Sequence, residues 1–129
     1  MPLTHSDSIE VKLVKGKGRG VFALKPIAKG EVVERVPVLV FAAEENDENP
    51  VLGHYVFAWG RGTVALALGY GSLYNHSYRP NCRYDDVGRQ TKVFTAIRDI
   101  KEGEELTINY HGSPERNDPV EFEVVENDD

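Results

Sequence analysis

Gly71-Ser72-Leu73-Tyr74-Asn75-His76-Ser77-Tyr78-Arg79-Pro80-Asn81-Cys82 and, further on, Gly103-Glu104-Glu105-Leu106-Thr107-Ile108-Asn109-Tyr110 are the two stretches on which this chain turns. Gly69 to Asn81, which spans most of the first, holds too many loop formers for a strand, although Gly71 to Tyr74 could make one helical turn. The second opens on the turn Lys101-Glu102-Gly103-Glu104 and runs into a final strand, Leu106 to Tyr110. Between them, Arg83 to Asp85 and Thr91 to Ile97 form a hairpin around Asp86-Val87-Gly88-Arg89. Upstream, Tyr55 to Trp59 and Thr63 to Leu68 form another, with Gly60-Arg61-Gly62 as its turn.

Working towards the N-terminus, Ala42 to Pro50 is polar and reads as a loop with room for one helical turn. Glu31 to Phe41 is rich in valine and reads as a strand, in which Pro37 implies a bend or an edge position. Ile9 to Val14 alternates apolar and polar residues, as a half-buried strand does. Gly16-Lys17-Gly18-Arg19-Gly20 breaks it, and Val21 to Leu24 resumes the extended chain. No repeat stands out, and nowhere do 12 residues hold a 3.6 period. The expected class is mostly β, built from many short strands.

Gly18-Arg19-Gly20-Val21-Phe22-Ala23 formally satisfies GxGxxA after a strand. A dinucleotide-binding fold also needs a helix directly after it, to hold the pyrophosphate at its N-terminus. Pro26 and Gly30 forbid that helix, and GxxxxGK[ST] is absent, so both phosphate-loop readings fail. Two readings of the glycines remain. They form a tight turn with no ligand, or they let a ligand approach the backbone closely.

Length and composition bound the rest. The chain has 129 residues, enough for one domain with a modest core. A single cysteine, Cys82, excludes an internal disulfide and a cysteine-rich zinc cluster, and packing is its expected role. His5, His54, His76 and His111 lack the spacing of a metal site, so no metal is expected. The N-terminus has no basic and apolar leader, and no apolar run reaches 18 residues. A protein that stays in the compartment where it is made is expected: cytoplasmic, or nuclear in a eukaryotic host, not secreted and not membrane-spanning. The formal charge is -6, with Glu121, Glu123, Glu126, Asp128 and Asp129 at the end. That end is a solvated tail or a surface that attracts basic peptides. Acidity argues against direct nucleic-acid binding, which needs cations to meet phosphates.

Taken in order, Lys17 to Ala23, the NHSxxPNC segment at 71–82 and the GEELxxxY segment at 103–110 resemble the SET domain of protein-lysine methyltransferases. The Tyr55 to Leu68 hairpin resembles the family's central tyrosine element, and the likeness runs from about Ile9 to Tyr110. The compact length is similar to that of stand-alone viral and bacterial SET proteins. The resemblance implies a SET-type β-clip of several small sheets, with a pseudoknot-like threading of the C-terminal segment near Asn75. It implies a SET core at 1–110, followed at 111–129 by an acidic segment that caps the lysine channel. It also implies methyl transfer from S-adenosylmethionine to a lysine of a histone or another basic protein. The rival is a catalytically silent SET-like module that binds peptide or cofactor. A chain this short also admits a homodimer in which a second subunit completes the substrate groove.

Carried over residue by residue, the resemblance assigns Tyr110 and Tyr55 to catalysis. Lys17, Gly18, Arg19, Gly20, Tyr55, Asn75, His76 and Tyr110 would bind the cofactor. The residue types suit that chemistry. A free lysine titrates at about 10.4, so presenting it neutral at pH 7 costs about 4 to 5 kcal/mol. An apolar aromatic channel beside a sulfonium lowers that cost by desolvation and like-charge repulsion. Tyrosine rings favour cations, and their hydroxyls orient an amine. The chain departs from longer relatives at Ser72, Leu73 and Tyr74, where those often carry an arginine and an aromatic. Lys17 or Arg19 would then have to grip the cofactor carboxylate.

Overall fold

The computed structural model describes residues 6–16, 18–47 and 51–110. Among the described residues nine strands form two sheets, and a five-residue helix and one 3-10 turn lie between the third and fourth strands in the chain. β1 (Ile9–Val14), β2 (Gly18–Ala23), β9 (Glu105–Ile108) and β6 (Asn75–His76) make one sheet in the order β1-β2-β9-β6. The other runs β4-β5-β3-β8-β7, from β4 (Val56–Ala58), β5 (Thr63–Ala67), β3 (Val32–Ala42), β8 (Thr91–Ala96) and β7 (Cys82–Val87). The expected mostly-β class and the hairpins are all present. Helix α1 (Ala43–Asp47) is the single helical turn expected in the polar loop after β3. Among the described residues no helix is long and apolar enough to cross a membrane.

Several features differ from the sequence reading, among them β6, a two-residue strand inside the segment read as too rich in loop formers. Pro37 lies in a central strand, not at an edge. β3 pairs with β8 from Val32 to Pro37 and with β5 from Val38 to Ala42, so the proline sits where the strand changes partner. Its missing N–H therefore interrupts neither run of pairing, while its carbonyl still accepts from the Leu68 amide at 3.0 Å. A short repeat also exists. Ile27-Ala28-Lys29-Gly30-Glu31 and Ile100-Lys101-Glu102-Gly103-Glu104 share I-x-x-G-E, and Ile27 and Ile100 exchange two backbone hydrogen bonds of 2.8 Å. Each turns on a glycine of positive φ, +89° at Gly30 and +83° at Gly103.

The core lies where the sheets meet. Val21, Ala23, Ile27, Val33, Val36, Val38, Phe94, Ala96, Ile100, Leu106 and Ile108 are all buried there. β9 is buried at every position because it is covered on both faces. Leu106 and Ile108 enter the core, and Glu105 and Thr107 face the other way. The strand is held on one edge by β2 and on the other by β6, which pairs with it in parallel as Asn75↔Thr107 and His76↔Ile108. Asn81 completes the hold. Its amide nitrogen donates to the Glu105 carbonyl at 2.7 Å, and its oxygen accepts the Thr107 amide at 2.8 Å. The Asn75–Asn81 segment thus wraps β9. The part of the threading expectation that concerns residues past 110 falls outside the described residues.

Candidate active site

A cleft of about 350 Å³ opens where the β1–β2 hairpin, the Tyr55 turn and the Ser72–Asn75 segment converge on Tyr110. Gly18, Arg19, Tyr55, Asn75 and Tyr110 line it, so five of the eight residues expected to form the site share one cavity. Lys17 lies outside the described residues. Gly20 and His76 are buried behind the lining.

The two glycines serve different ends. Gly18 has φ +82° and open space where a Cβ would stand, so its need is conformational. Gly20 has no room. A Cβ there would lie 2.4 Å from Glu105 Oε2 and 2.8 Å from Asn75 Nδ2. Those two side chains are bonded to one another at 2.7 Å, and Asn75 Nδ2 also donates to the Arg19 carbonyl at 2.9 Å. Asn75 therefore ties the glycine segment to β9 and β6 together. The glycine segment is itself strand β2, so the turn falls earlier, at Lys15-Gly16, where Gly16 has φ +84°.

Tyr110 is fixed at both ends. Its amide donates to His76 Nδ1 at 3.0 Å, and its hydroxyl donates to the Tyr74 carbonyl at 2.6 Å. The His76 ring stands edge-on to Tyr110 at 5.2 Å and to Tyr78 at 4.5 Å. His76 thus reaches the cleft through Tyr110. Burial pushes the Tyr110 phenol well above its ordinary value, with Glu105 and Tyr55 adding to the rise, so it is a neutral donor at physiological pH. Tyr74 is buried, stacks on Phe94 at 4.3 Å and donates its hydroxyl to Glu34 at 2.9 Å. Its carbonyl is therefore a rigid acceptor for Tyr110.

Leu13, His54, Ser72 and Leu73 also line the cleft, and none was expected to. Ser72 and Leu73 lie inside the motif segment, which was the available signal. Leu13 is 89% exposed although it continues the alternation of Ile9 and Val11. β2 pairs with β9 only at Val21 and Phe22, so the outer end of the hairpin projects beyond the core and walls the cleft. Among the described residues no three His, Cys, Asp or Glu side chains gather to hold a metal.

The donor set fits an S-adenosylmethionine-sized group. The volume lies at the lower end of ligand cavities, the lining includes the glycine segment, Arg19 offers a cation for a carboxylate, and aromatic side chains of the kind that favour a cation, Tyr55 and Tyr110, share the wall.

Comparison with known proteins agrees. The SET domain family matches residues 18–111. The chain is 40% identical over 106 residues to a Schizosaccharomyces pombe histone-lysine N-methyltransferase specific for H3 lysine-37, covering 79% of this chain and 72% of that protein. It is 32% identical to a Saccharomyces cerevisiae histone-lysine N-methyltransferase specific for H3 lysine-4, covering 77% of this chain and 10% of that protein. A crystal structure of a Plasmodium falciparum histone methyltransferase candidate superposes with a TM-score of 0.67 at 30% identity, covering 86% of this chain and 97% of that one. The motif order, the β9–β6 pairing and these matches converge, and the chain belongs to the SET-domain family of protein-lysine methyltransferases.

Proposed function

We propose that this chain transfers the methyl group of S-adenosylmethionine to a lysine of a basic protein, a histone in a eukaryotic nucleus being the favoured substrate. The observation that carries this reading is the double fixing of Tyr110 beside Tyr55 in one cleft. Bound there, S-adenosylmethionine would supply an electrophilic methyl on a positive sulfur, with the neutral thioether as leaving group.

The chain's part is to bind, orient and dry. Gly18, Arg19 and Asn75 hold the cofactor, Gly20 leaves room behind them for the Asn75–Glu105 bond, and His76 acts through Tyr110. Lys17, the other cation assigned to the cofactor, lies outside the described residues. Tyr110 and Tyr55 orient the amine for in-line approach and exclude water. The amine must arrive neutral, its proton already given to solvent, and the aromatic wall favours that form. The acidic segment 111–129 lies outside the described residues, and the role assigned to it is to cap the lysine channel and attract a basic peptide. The names of the two yeast relatives support histone H3 as substrate class.

Radiolabelled methyl transfer to core histones, with mapping of the modified residue, tests the activity. Heat denaturation with S-adenosylhomocysteine tests the cleft, since ligand at 100 times its Kd adds about 2.7 kcal/mol. Stabilisation without transfer would leave a silent binding module.

A further inference from the structure

Lys92 is the most unusual residue in the fold outside the cleft. It stands on β8 with its side chain wholly buried, and its ammonium is 2.6 Å from Asp86 Oδ1. Three ring faces surround the same nitrogen: Tyr84 at 3.9 Å, Phe57 at 4.0 Å and Trp59 at 5.5 Å. A desolvated ammonium is costly, and the ring quadrupoles together with the Asp86 carboxylate offset that cost only while all four groups stay in place. The arrangement is directional, as a purely apolar contact is not.

The rings come from two distant places. Phe57 lies on β4 and Tyr84 on β7, the outermost strands at opposite edges of the five-stranded sheet. Their rings meet edge-on at 5.0 Å, so the sheet curls until its edges touch over Lys92. From there both edges lead into the cleft. Phe57 follows Tyr55 by two residues in the chain, and the Tyr84 hydroxyl donates to the Tyr110 carbonyl at 3.1 Å.

We propose that Lys92 is a positioning residue for the tyrosine pair: its caged ammonium pins β4 to β7 and so sets Tyr55 and Tyr110 against one another in the cleft. The proposal rests on the reading of that cleft as the methyl-transfer site. Lys92 touches no substrate, and its effect passes through Phe57 and Tyr84.

The test uses the full chain. Lys92→Met keeps the length and apolar stem but removes the charge. Displacing reacting groups by about 1 Å costs on the order of 100-fold, so kcat should fall by about 10- to 100-fold while peptide KM and S-adenosylhomocysteine affinity stay within about twofold. Lys92→Arg, which restores a cation able to stack on rings and pair with Asp86, should recover most of kcat. Unchanged kcat in Lys92→Met overturns the proposal. So does a joint loss of kcat, cofactor affinity and melting temperature that arginine does not rescue, because that marks an ordinary core brace. If Lys92→Met fails to fold, Asp86→Asn decides, and an unchanged kcat there overturns the proposal. If the wild type transfers no methyl group, the reading of the cleft falls. The Phe57–Tyr84 ring contact, followed by NMR, then tests the pin alone: its survival in Lys92→Met overturns it, and its loss in a folded variant supports it.

Discussion

The side-chain oxygen of Asn81 accepts the amide proton of Thr107 at 2.8 Å, across 26 positions of sequence. The same side chain donates to the Glu105 carbonyl and, at 3.2 Å, to Glu104 Oε2, so one buried amide is satisfied from three directions by β9 and the residue before it. The backbone carbonyl of Asn81 accepts from the Ile97 amide at 2.9 Å. The asparagine of the PNC triplet is thus the clasp that keeps β9 under the Asn75–His76 segment.

Asn81→Ala should therefore destabilise strongly. It leaves the Thr107 amide and the Glu105 carbonyl without these partners, at about 1 to 3 kcal/mol each. A loss of about 3 kcal/mol or more in urea unfolding is expected. A loss below about 1 kcal/mol would mean that water or a backbone shift replaces the clasp.

The two glycines should fail in different ways. Gly18→Val strains the backbone at φ +82° and withdraws the segment from the cofactor, with the Asn75–Glu105 bond left intact. Gly20→Val drives a side chain into Glu105 and Asn75, so it breaks that bond and loosens β9 as well. Both should abolish S-adenosylhomocysteine binding in calorimetry, and Gly20→Val should also lower the melting temperature more. Unchanged affinity would make the segment an ordinary strand.

Stability should fall above pH 9. Burial pushes the Cys82 thiol from its ordinary 9.0 to about 12, with Arg98 opposing and Glu104 adding, and pushes the Tyr84 phenol from 10.0 to about 12, with Asp86 adding. Tyr74 and Tyr110 move the same way. Between the unfolded and folded values the native state holds more protons, so unfolding gains favour as pH rises. The stabilisation is complete below pH 9 and is lost as pH climbs towards 12. Cys82 alone accounts for about 2 kcal/mol at pH 10.5. Lys92 works in the opposite direction, since burial lowers its value and Asp86 only partly restores it. Cys82→Ala should move the onset from pH 9 towards 10. A flat profile from pH 8 to 11 would contradict the burial of these groups.

How much of this was legible in the sequence follows from how local each signal is. The hairpins flanking Gly60-Arg61-Gly62 and Asp86 to Arg89 announce themselves, because turn residues and alternating strands lie side by side. β6 does not. It is two residues long, and its parallel pairing with β9 spans more than 30 positions, which no period can carry. Lys92, in Thr91-Lys92-Val93-Phe94, reads as the polar face of a strand, and its burial depends on rings supplied by β4 and β7. Five cleft residues were recoverable because their motifs share one order and spacing. His54 and Leu13 had no motif to mark them and reach the cleft only through the folded positions of the Tyr55 turn and the hairpin end.

Truncation after Pro119 should raise peptide KM steeply and leave S-adenosylhomocysteine affinity within about threefold, since those acidic residues would steer a basic substrate and not hold the cofactor. The KM difference should shrink as salt rises, because exposed charges are screened within about 10 Å at 0.1 M. Equal losses of peptide and cofactor binding would make the segment a structural brace, and unchanged kinetics would make it a bystander.

In the proposed reaction Tyr110, held by His76 and Tyr74, orients the amine for methyl transfer. The direct measurement is the rate of label transfer from S-adenosylmethionine to histone by wild type and Tyr110→Phe, alongside S-adenosylhomocysteine affinity and stability. The substitution removes only the hydroxyl bonded to the Tyr74 carbonyl, so stability should stay within about 1 to 2 kcal/mol. Cofactor affinity should hold while kcat falls by at least about 100-fold. Transfer by Tyr110→Phe at the wild-type rate would contradict the account.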